Sequence, residues 1–129
     1  ELYTQPNSVF VATFMGEANH VRGSIERIEG EQATVALDGL RMRLPHRGLP
    51  LGAVDIVVRP EAIRIADPGG DGLAAHVARA TYMGSHTEYH LRTAVGDLFA
   101  VAPERLNRRS PGEAVTLTFD TDGVVLVRP

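Results

Sequence analysis

The chain of 129 residues lacks several residue types, and each absence removes a class of chemistry. It contains no cysteine, no lysine and no tryptophan. Without cysteine it forms no disulfide, no thiolate nucleophile and no cysteine-ligated zinc site, which is compatible with a reducing compartment. Without lysine it cannot contain the Gly-x-x-x-x-Gly-Lys-Ser/Thr loop that binds nucleotide phosphates. No apolar run approaches the roughly 20 residues needed to cross a membrane, and the first residues do not resemble a signal peptide.

Charge and composition further limit the classes of function that are open to the chain. The formal net charge is −3, all 13 basic residues are arginine, and aromatic residues make up only 5% of the chain. Nucleic-acid binders usually carry a basic stripe and stack bases on aromatic rings, so this balance argues against that role. An apolar content of 43% indicates a folded domain, or two very small units that share a core. The chain opens on Glu1 rather than Met, and we therefore expect it to be part of a longer protein.

The hydrophobic pattern predicts an all-β barrel or sandwich, and residues 57–65 show the pattern best. Here an apolar run meets Pro60, which cannot donate to a sheet ladder and is therefore predicted at a bend, bulge or edge. Beyond it, Ile63 and Ile65 alternate with Arg64, as in a half-buried strand. Short strands of this kind recur between glycine-containing turns, and Asp38-Gly39 is a strong hairpin signal.

Two segments of the chain repeat the same order of features. Residues 52–65 and 112–127 each read glycine, strand, charged turn and apolar strand. We therefore predict two repeated β units, 17–66 and 73–129, joined by a glycine-rich linker at 67–72. Residues 1–16 are predicted to form a short connector helix that ends at Gly16 and needs packing against the body.

Three short segments in this order resemble one known family. They read Phe-Val-Ala-Thr-Phe-Met-Gly-Glu-Ala-Asn at 10–19, Val-Arg-Pro-Glu at 58–61, and Tyr-Met-Gly-Ser-His-Thr-Glu-Tyr at 82–89. The first resembles the point where the ATPase subunits of bacterial ABC importers leave their nucleotide-binding domain. The second and third resemble the transport-associated OB domain, TOBE, of the iron, polyamine and sugar importer branch. The resemblance implies an OB-like fold built from two small β units.

The same resemblance implies a function without catalysis. The chain would be the C-terminal regulatory and dimerisation domain of an importer ATP-binding subunit, at the cytoplasmic face of the inner membrane. Its partners would be its own ATPase domain, a second copy and, indirectly, the membrane subunits, with no nucleic acid. No cofactor is expected in the chain itself, since ATP and magnesium would bind to the ATPase domain. The alternative functions are a small-ligand sensor for an oxyanion or metal and, less favoured, an OB-fold nucleic-acid binder.

One cluster has the residue types of a metal site. On a strand, His86, Glu88 and His90 project to the same side, and two imidazoles with a carboxylate suit zinc or ferrous iron. Residues two apart on a strand are about 6–7 Å apart, however, so the two histidines reach one ion only if the strand bends. The alternative is the polar outer face of an edge strand, with Tyr89 and Leu91 turned inward.

Other residues are candidates for binding rather than catalysis, and no catalytic residue is predicted. Some relatives with paired TOBE units bind small oxyanions, and by this resemblance Ser85, Thr87, Arg59 and Arg22 are candidates for such a site. Ser85 precedes His86, but adjacency in sequence does not place a base on a nucleophile, and no Gly-x-Ser-x-Gly elbow is present.

Two further features are candidates for structure or association. A local ion pair between Arg59 and Glu61 that stabilises the turn explains these two residues equally well. The apolar side chains Phe10 and Phe14 are candidates for an association surface.

Overall fold

The computed structural model describes residues 18–103 and 108–129, and these residues form an all-β structure, as predicted. No helix in this part of the chain is long and apolar enough to cross a membrane. The connector helix predicted at 1–16 lies outside the described residues. In chain order the elements are β1 (Asn19–Glu29), β2 (Gln32–Leu37), β3 (Leu40–Pro45), β4 (Gly52–Val58), the single 3-10 turn η1 (Pro60–Ala62), β5 (Ile63–Ala66), β6 (Leu73–Tyr82), β7 (His86–Thr93), β8 (Gly96–Pro103), β9 (Ala114–Phe119), the 3-10 turn η2 (Thr121–Gly123) and β10 (Val124–Val127).

The strands form two five-stranded antiparallel sheets that exchange one strand. The first sheet has the order β10-β4-β1-β2-β3 and the second has the order β5-β9-β6-β7-β8. β5, from the first half of the chain, pairs with β9 through Ile63 opposite Phe119. β10, the last strand, pairs with β4 through Val124 opposite Val58. Hydrogen bonding therefore crosses the predicted boundary between units 17–66 and 73–129, and each sheet needs both halves of the chain.

Local sequence patterns account for the individual strands. In β3 the side chains of Leu40, Met42 and Leu44 are buried, and the two arginines between them are exposed. The predicted hairpin between β2 and β3 is confirmed, and Asp38 takes the left-handed φ of 52° that a two-residue turn requires. Alternation of this kind places one side of each strand in the core and leaves the other in water.

The two 3-10 turns contact each other where the chain crosses between the sheets. The Arg59 amide donates to the Gly123 carbonyl at 2.9 Å, and the Asp120 amide donates to the Ala62 carbonyl at 2.7 Å. Pro60 is the first residue of η1, so the predicted bend is confirmed. Gly123 leaves room for Ala62, since a Cβ on Gly123 would lie 2.5 Å from the Ala62 Cβ. We call this contact between η1 and η2 the crossover.

The inner faces of both sheets belong to one hydrophobic core. Its members come from every strand of both halves. Among the large side chains that are almost fully buried are Ile25, Leu37, Leu44, Ile56, Leu73, Tyr89, Leu91, Leu98, Leu117 and Leu126. At about 0.8 kcal/mol for each buried CH2 group, this shared core is the main source of stability.

We predict that Gly123→Ala destabilises the fold by about 1–3 kcal/mol, because the new methyl group overlaps Ala62 across the crossover. Ala62→Gly removes the opposing methyl group and by itself costs about 0.5–1 kcal/mol. The double variant should therefore be more stable than the sum of the two single changes implies. Urea unfolding of the four proteins measures this coupling, and strictly additive losses would contradict the contact.

Candidate functional sites

The outer face of β7 carries the three residues of the predicted metal cluster. His86, Glu88 and His90 are half-buried on that face, and Tyr89 and Leu91 between and beside them are buried in the core, as the alternation predicts. The description of β7 as an edge strand is wrong, because β7 pairs with β6 on one side and with β8 on the other. The three side chains therefore lie on the open face of a central strand.

The two histidines of this face contact different carboxylates. His86 Nε2 lies 3.4 Å from Glu88 Oε2, whereas His90 Nε2 lies 3.2 Å from Asp97 Oδ2 on the neighbouring strand β8. In residues 18–103 and 108–129 no three histidine, aspartate or glutamate side chains come close enough together to hold a metal ion. The strand spacing thus separates the face into two pairs, one for each histidine.

The hydroxyl of Ser85 extends the first of these pairs. Ser85 Oγ lies 3.1 Å from His86 Nδ1, so the structure brings together two residues that the sequence shows only as adjacent. The Met83 amide also donates to the His86 carbonyl at 2.8 Å, which closes the turn between β6 and β7. The Ser85 contact lies at the exposed surface, and we assign it to the geometry of this turn rather than to nucleophile activation.

Thr87 differs from its polar neighbours because it points inward. The residue is 4% exposed, and Oγ1 is buried without a hydrogen-bond partner among the described residues. It stands opposite Tyr82 on β6 and Ala102 on β8. A buried hydroxyl without a partner costs about 1–3 kcal/mol.

The remaining predicted binding residues lie in separate elements. Arg22 is on β1 in the first sheet, where its Nε binds Asp55 at 2.6 Å. Arg59 precedes η1 and contributes its amide to the crossover, and Glu61 is exposed in η1. Ser85 and Thr87 lie at the start of β7 in the second sheet. The predicted association residues Phe10 and Phe14 lie outside the described residues.

A cluster that the sequence analysis missed is centred on Arg109. Its side chain is 13% exposed, and Nη1 binds both Asp67 Oδ1 at 2.6 Å and Glu113 Oε2 at 3.1 Å. The Arg109 amide donates to the hydroxyl of Tyr89 at 2.9 Å. The cluster ties the segment between β5 and β6 to the loop before β9.

The loop before Gly52 also contains an arginine that joins distant segments, since Arg47 Nη1 donates to the Leu126 carbonyl at 2.9 Å.

The Arg109 cluster shifts proton affinities in a direction that favours its ion pairs. Hydrogen bonding from the Ser110 amide, followed by that from Arg109, lowers the pKa of Glu113 below its ordinary value of 4.5. Asp67 and Glu113 in turn raise the pKa of the Arg109 guanidinium. The ionised forms are therefore favoured in the folded protein.

A second connection between the sheets uses a side-chain amide. Asn19, at the start of β1, donates from Nδ2 to the Phe99 carbonyl at 2.9 Å and accepts from the Phe99 amide at 2.7 Å through Oδ1. Phe99 lies on β8, an outer strand of the second sheet. Asn19 thus occupies the edge of β8 in the manner of a neighbouring strand.

Comparison with known proteins identifies the family. The model of the TOBE domain matches residues 56–127, which include the crossover, both 3-10 turns and all of the second sheet. The chain belongs to the TOBE domain family. The resemblance drawn from the short segments at 58–61 and 82–89 is therefore confirmed.

The curated relatives of this TOBE chain are importer subunits. It is 39% identical over 127 residues to the Fe(3+) ions import ATP-binding protein FbpC of Rhizobium etli. It is 38% identical over 128 residues to the spermidine/putrescine import ATP-binding protein PotA of Rubrobacter xylanophilus. The matches cover 98% and 92% of the chain but only 36% and 34% of the two relatives.

A solved structure shares the fold. The cytoplasmic molybdate-binding protein ModG, in a form with molybdate bound, superposes with a TM-score of 0.67 at 18% identity. The match covers 86% of the TOBE chain and 96% of the ModG chain. At this identity the likeness concerns the fold, an OB-like arrangement of two interlocked sheets.

We predict that acid destabilises the TOBE chain partly through Glu113. Since its folded pKa lies below 4.5, the stabilisation is present above that pH and is lost as the pH falls through the folded pKa. Glu113→Gln should lower the melting temperature at pH 7 and reduce its fall below pH 4.5. The control is Glu61→Gln, which removes a carboxylate from the exposed crossover turn. Parallel melting curves for Glu113→Gln and wild type across this range would refute the role of Glu113.

Proposed function

We propose that the chain is the C-terminal regulatory and dimerisation domain of the ATP-binding subunit of an ABC importer. The observation that carries this proposal is the match of almost the whole chain to about a third of an iron-import ATP-binding subunit, at 39% identity. Nucleotide binding and hydrolysis would then belong to an ATPase domain in the same polypeptide, with its own ATP and magnesium. The domain would act at the cytoplasmic face of the inner membrane, through the membrane subunits of the transporter.

The interlocked architecture supports a mechanical role of this kind. Each sheet includes a strand from the other half of the chain. A force applied to one sheet is therefore transmitted to the other through the crossover. Such a domain transmits force with little internal deformation. Two copies in contact would keep two ATPase domains at a high effective concentration while their nucleotide interface opens and closes.

We predict that the chain forms a dimer that depends on Phe10 and Phe14. Replacing both by aspartate should convert the dimer into a monomer in size-exclusion chromatography with light scattering, because a charge in an apolar interface is left without a partner. Leu51→Asp is the matched control, since Leu51 is 61% exposed in the loop before β4. A wild-type chain that stays monomeric at high concentration would argue against pairing.

A second candidate function is the sensing of a small oxyanion, and Thr87 is the observation that favours it. Its buried hydroxyl has no partner among the described residues, and Ser85 and His86 lie beside it in sequence. ModG, which shares the fold, binds molybdate. An oxyanion that reached Thr87 would accept the hydrogen bond that the hydroxyl lacks. A metal at His86, Glu88 and His90 is less favoured, because the two histidines contact different carboxylates.

We predict opposite effects for two buried threonines. Thr87→Val should leave the ligand-free domain equally stable or more stable, because it removes an unpaired hydroxyl. Thr116→Val should destabilise the fold by about 1 kcal/mol, because Thr116 Oγ1 accepts from the Gly69 amide at 3.1 Å. Calorimetric titration with molybdate and sulfate then tests the sensor. Saturable anion binding that is lost in Thr87→Val supports the sensor. Anion binding that persists in this variant shows that Thr87 does not bind the anion.

A further inference from the structure

The second sheet leaves a gap between its two outer strands, and this gap contains a cavity. β5 and β8 are at opposite ends of the strand order β5-β9-β6-β7-β8, and the described residues show no ladder between them. The cavity has a volume of about 80 Å³ and is bordered on its apolar side by Ile63, Ile65, Ala102 and Pro103. We call it the seam cavity.

The polar part of the seam cavity carries hydrogen-bond donors. Tyr89, Arg64 and Arg109 line it, and none of the described residues that line it is acidic. The Tyr89 hydroxyl accepts from the Arg109 amide at 2.9 Å, and its own proton has no acceptor among the described residues. Asp67 and Glu113 both contact Nη1 of Arg109, and its other side-chain N–H groups have no acceptor among the described residues.

The strand register adds a backbone donor. The Asp120 amide donates to the Ala62 carbonyl, which marks that pair as hydrogen-bonded, and bonded pairs alternate along an antiparallel ladder. Arg64 is therefore bonded to β9, whereas the amide and carbonyl of Ile65 point away from β9 and towards the gap. On the other side, Asn19 binds both backbone groups of Phe99 on the outer edge of β8, and no strand among the described residues pairs with the rest of that edge.

We propose that the seam cavity binds a short aliphatic carboxylate. The donors define an acidic head group, which would accept from Tyr89, from the Arg109 and Arg64 guanidiniums and from the Ile65 amide. The apolar wall on the other side suits a short hydrocarbon tail. The volume of about 80 Å³ is roughly half of the ~150 Å³ that encloses benzene in a closed apolar cavity, so the carboxylate and first carbons of butanoate would fill it and the end of the tail would lie at its mouth.

Charge distinguishes butanoate from butanamide, and the hydrocarbon tail distinguishes it from sulfate. Hydrogen bonds to a carboxylate are about twice as strong as those to a neutral acceptor, so butanamide should bind less tightly than butanoate. Sulfate brings charge but no tail, and it cannot use the contacts of Ile63 and Ile65. Both comparison ligands are close to butanoate in size.

The test is calorimetric titration of the whole chain with sodium butanoate at constant ionic strength, alongside butanamide and sulfate. We expect saturable binding of butanoate, at least about tenfold tighter than that of butanamide. Amide chemical shifts should move at Ile65 and Ala102. Absence of saturable binding at millimolar concentration, equal binding of butanamide, or equal binding of sulfate overturns the proposal.

Three variants locate the site and guard against unfolding. Arg64→Gln removes a lining guanidinium at an exposed position, and Ala102→Leu fills the cavity without changing charge. Each should weaken butanoate binding by about tenfold or more while the melting curve shows a folded protein. Arg41→Gln is the control, since Arg41 makes a similarly exposed ion pair with Glu26 in the first sheet. Equal binding by Ala102→Leu and wild type refutes the cavity as the site. This test measures butanoate binding, whereas the proposed function is tested by the oligomeric state. Either proposal can therefore fail without the other.

Discussion

The crossover is the contact on which the rest of the structure depends. At this point both halves of the chain leave one sheet and enter the other, and two backbone hydrogen bonds join the two 3-10 turns. The turns approach closely because Gly123 presents no side chain to Ala62. If the crossover opened, β5 and β10 would both lose their positions, and each sheet would lose an outer strand. The exchange therefore makes the two sheets one cooperative unit.

Strand exchange leaves gaps at the sheet edges, and polar side chains close them. Arg47 binds the Leu126 carbonyl, Asn19 binds both backbone groups of Phe99, and Arg109 holds two carboxylates from different loops. A planar guanidinium with five donors can satisfy several acceptors at once, which suits a chain whose only long basic side chain is arginine. Closure by side chains rather than by a ladder also leaves the seam cavity open in the second sheet.

The polar residues divide into two classes according to the side of the sheet on which they lie. His86, Glu88 and His90 lie on the outer face of β7 and pair locally with carboxylates or with one another, as solvated surface residues do. Thr87 and Tyr89, on the inner face of the same strand, have hydroxyl groups whose hydrogen bonds are unmade or incomplete among the described residues. In the described part of this chain, the unmade hydrogen bonds of β7 thus lie on its inner face, not among the histidines of its outer face.

The sequence alone determined the elements and the family. Period-two alternation in β3, the Asp38-Gly39 turn and the bend at Pro60 depend on neighbours within a few residues, so local patterns predicted them. The segments at 58–61 and 82–89 were specific enough to identify a TOBE domain. The absence of lysine is sufficient by itself to exclude a P-loop from the chain, because that loop requires a lysine for the nucleotide phosphates.

Only the tertiary structure decided which strands pair beyond the local β2–β3 hairpin. β5 and β10 are short apolar strands that would fit the edge of either sheet, and their exchange depends on contacts between residues far apart in sequence. The same holds for the central position of β7 and for Arg109, which finds Asp67 from 42 residues away. The alternation of polar and apolar residues shows which side of a strand is buried but not which strand it pairs with, because the packing of the whole core selects the pairing.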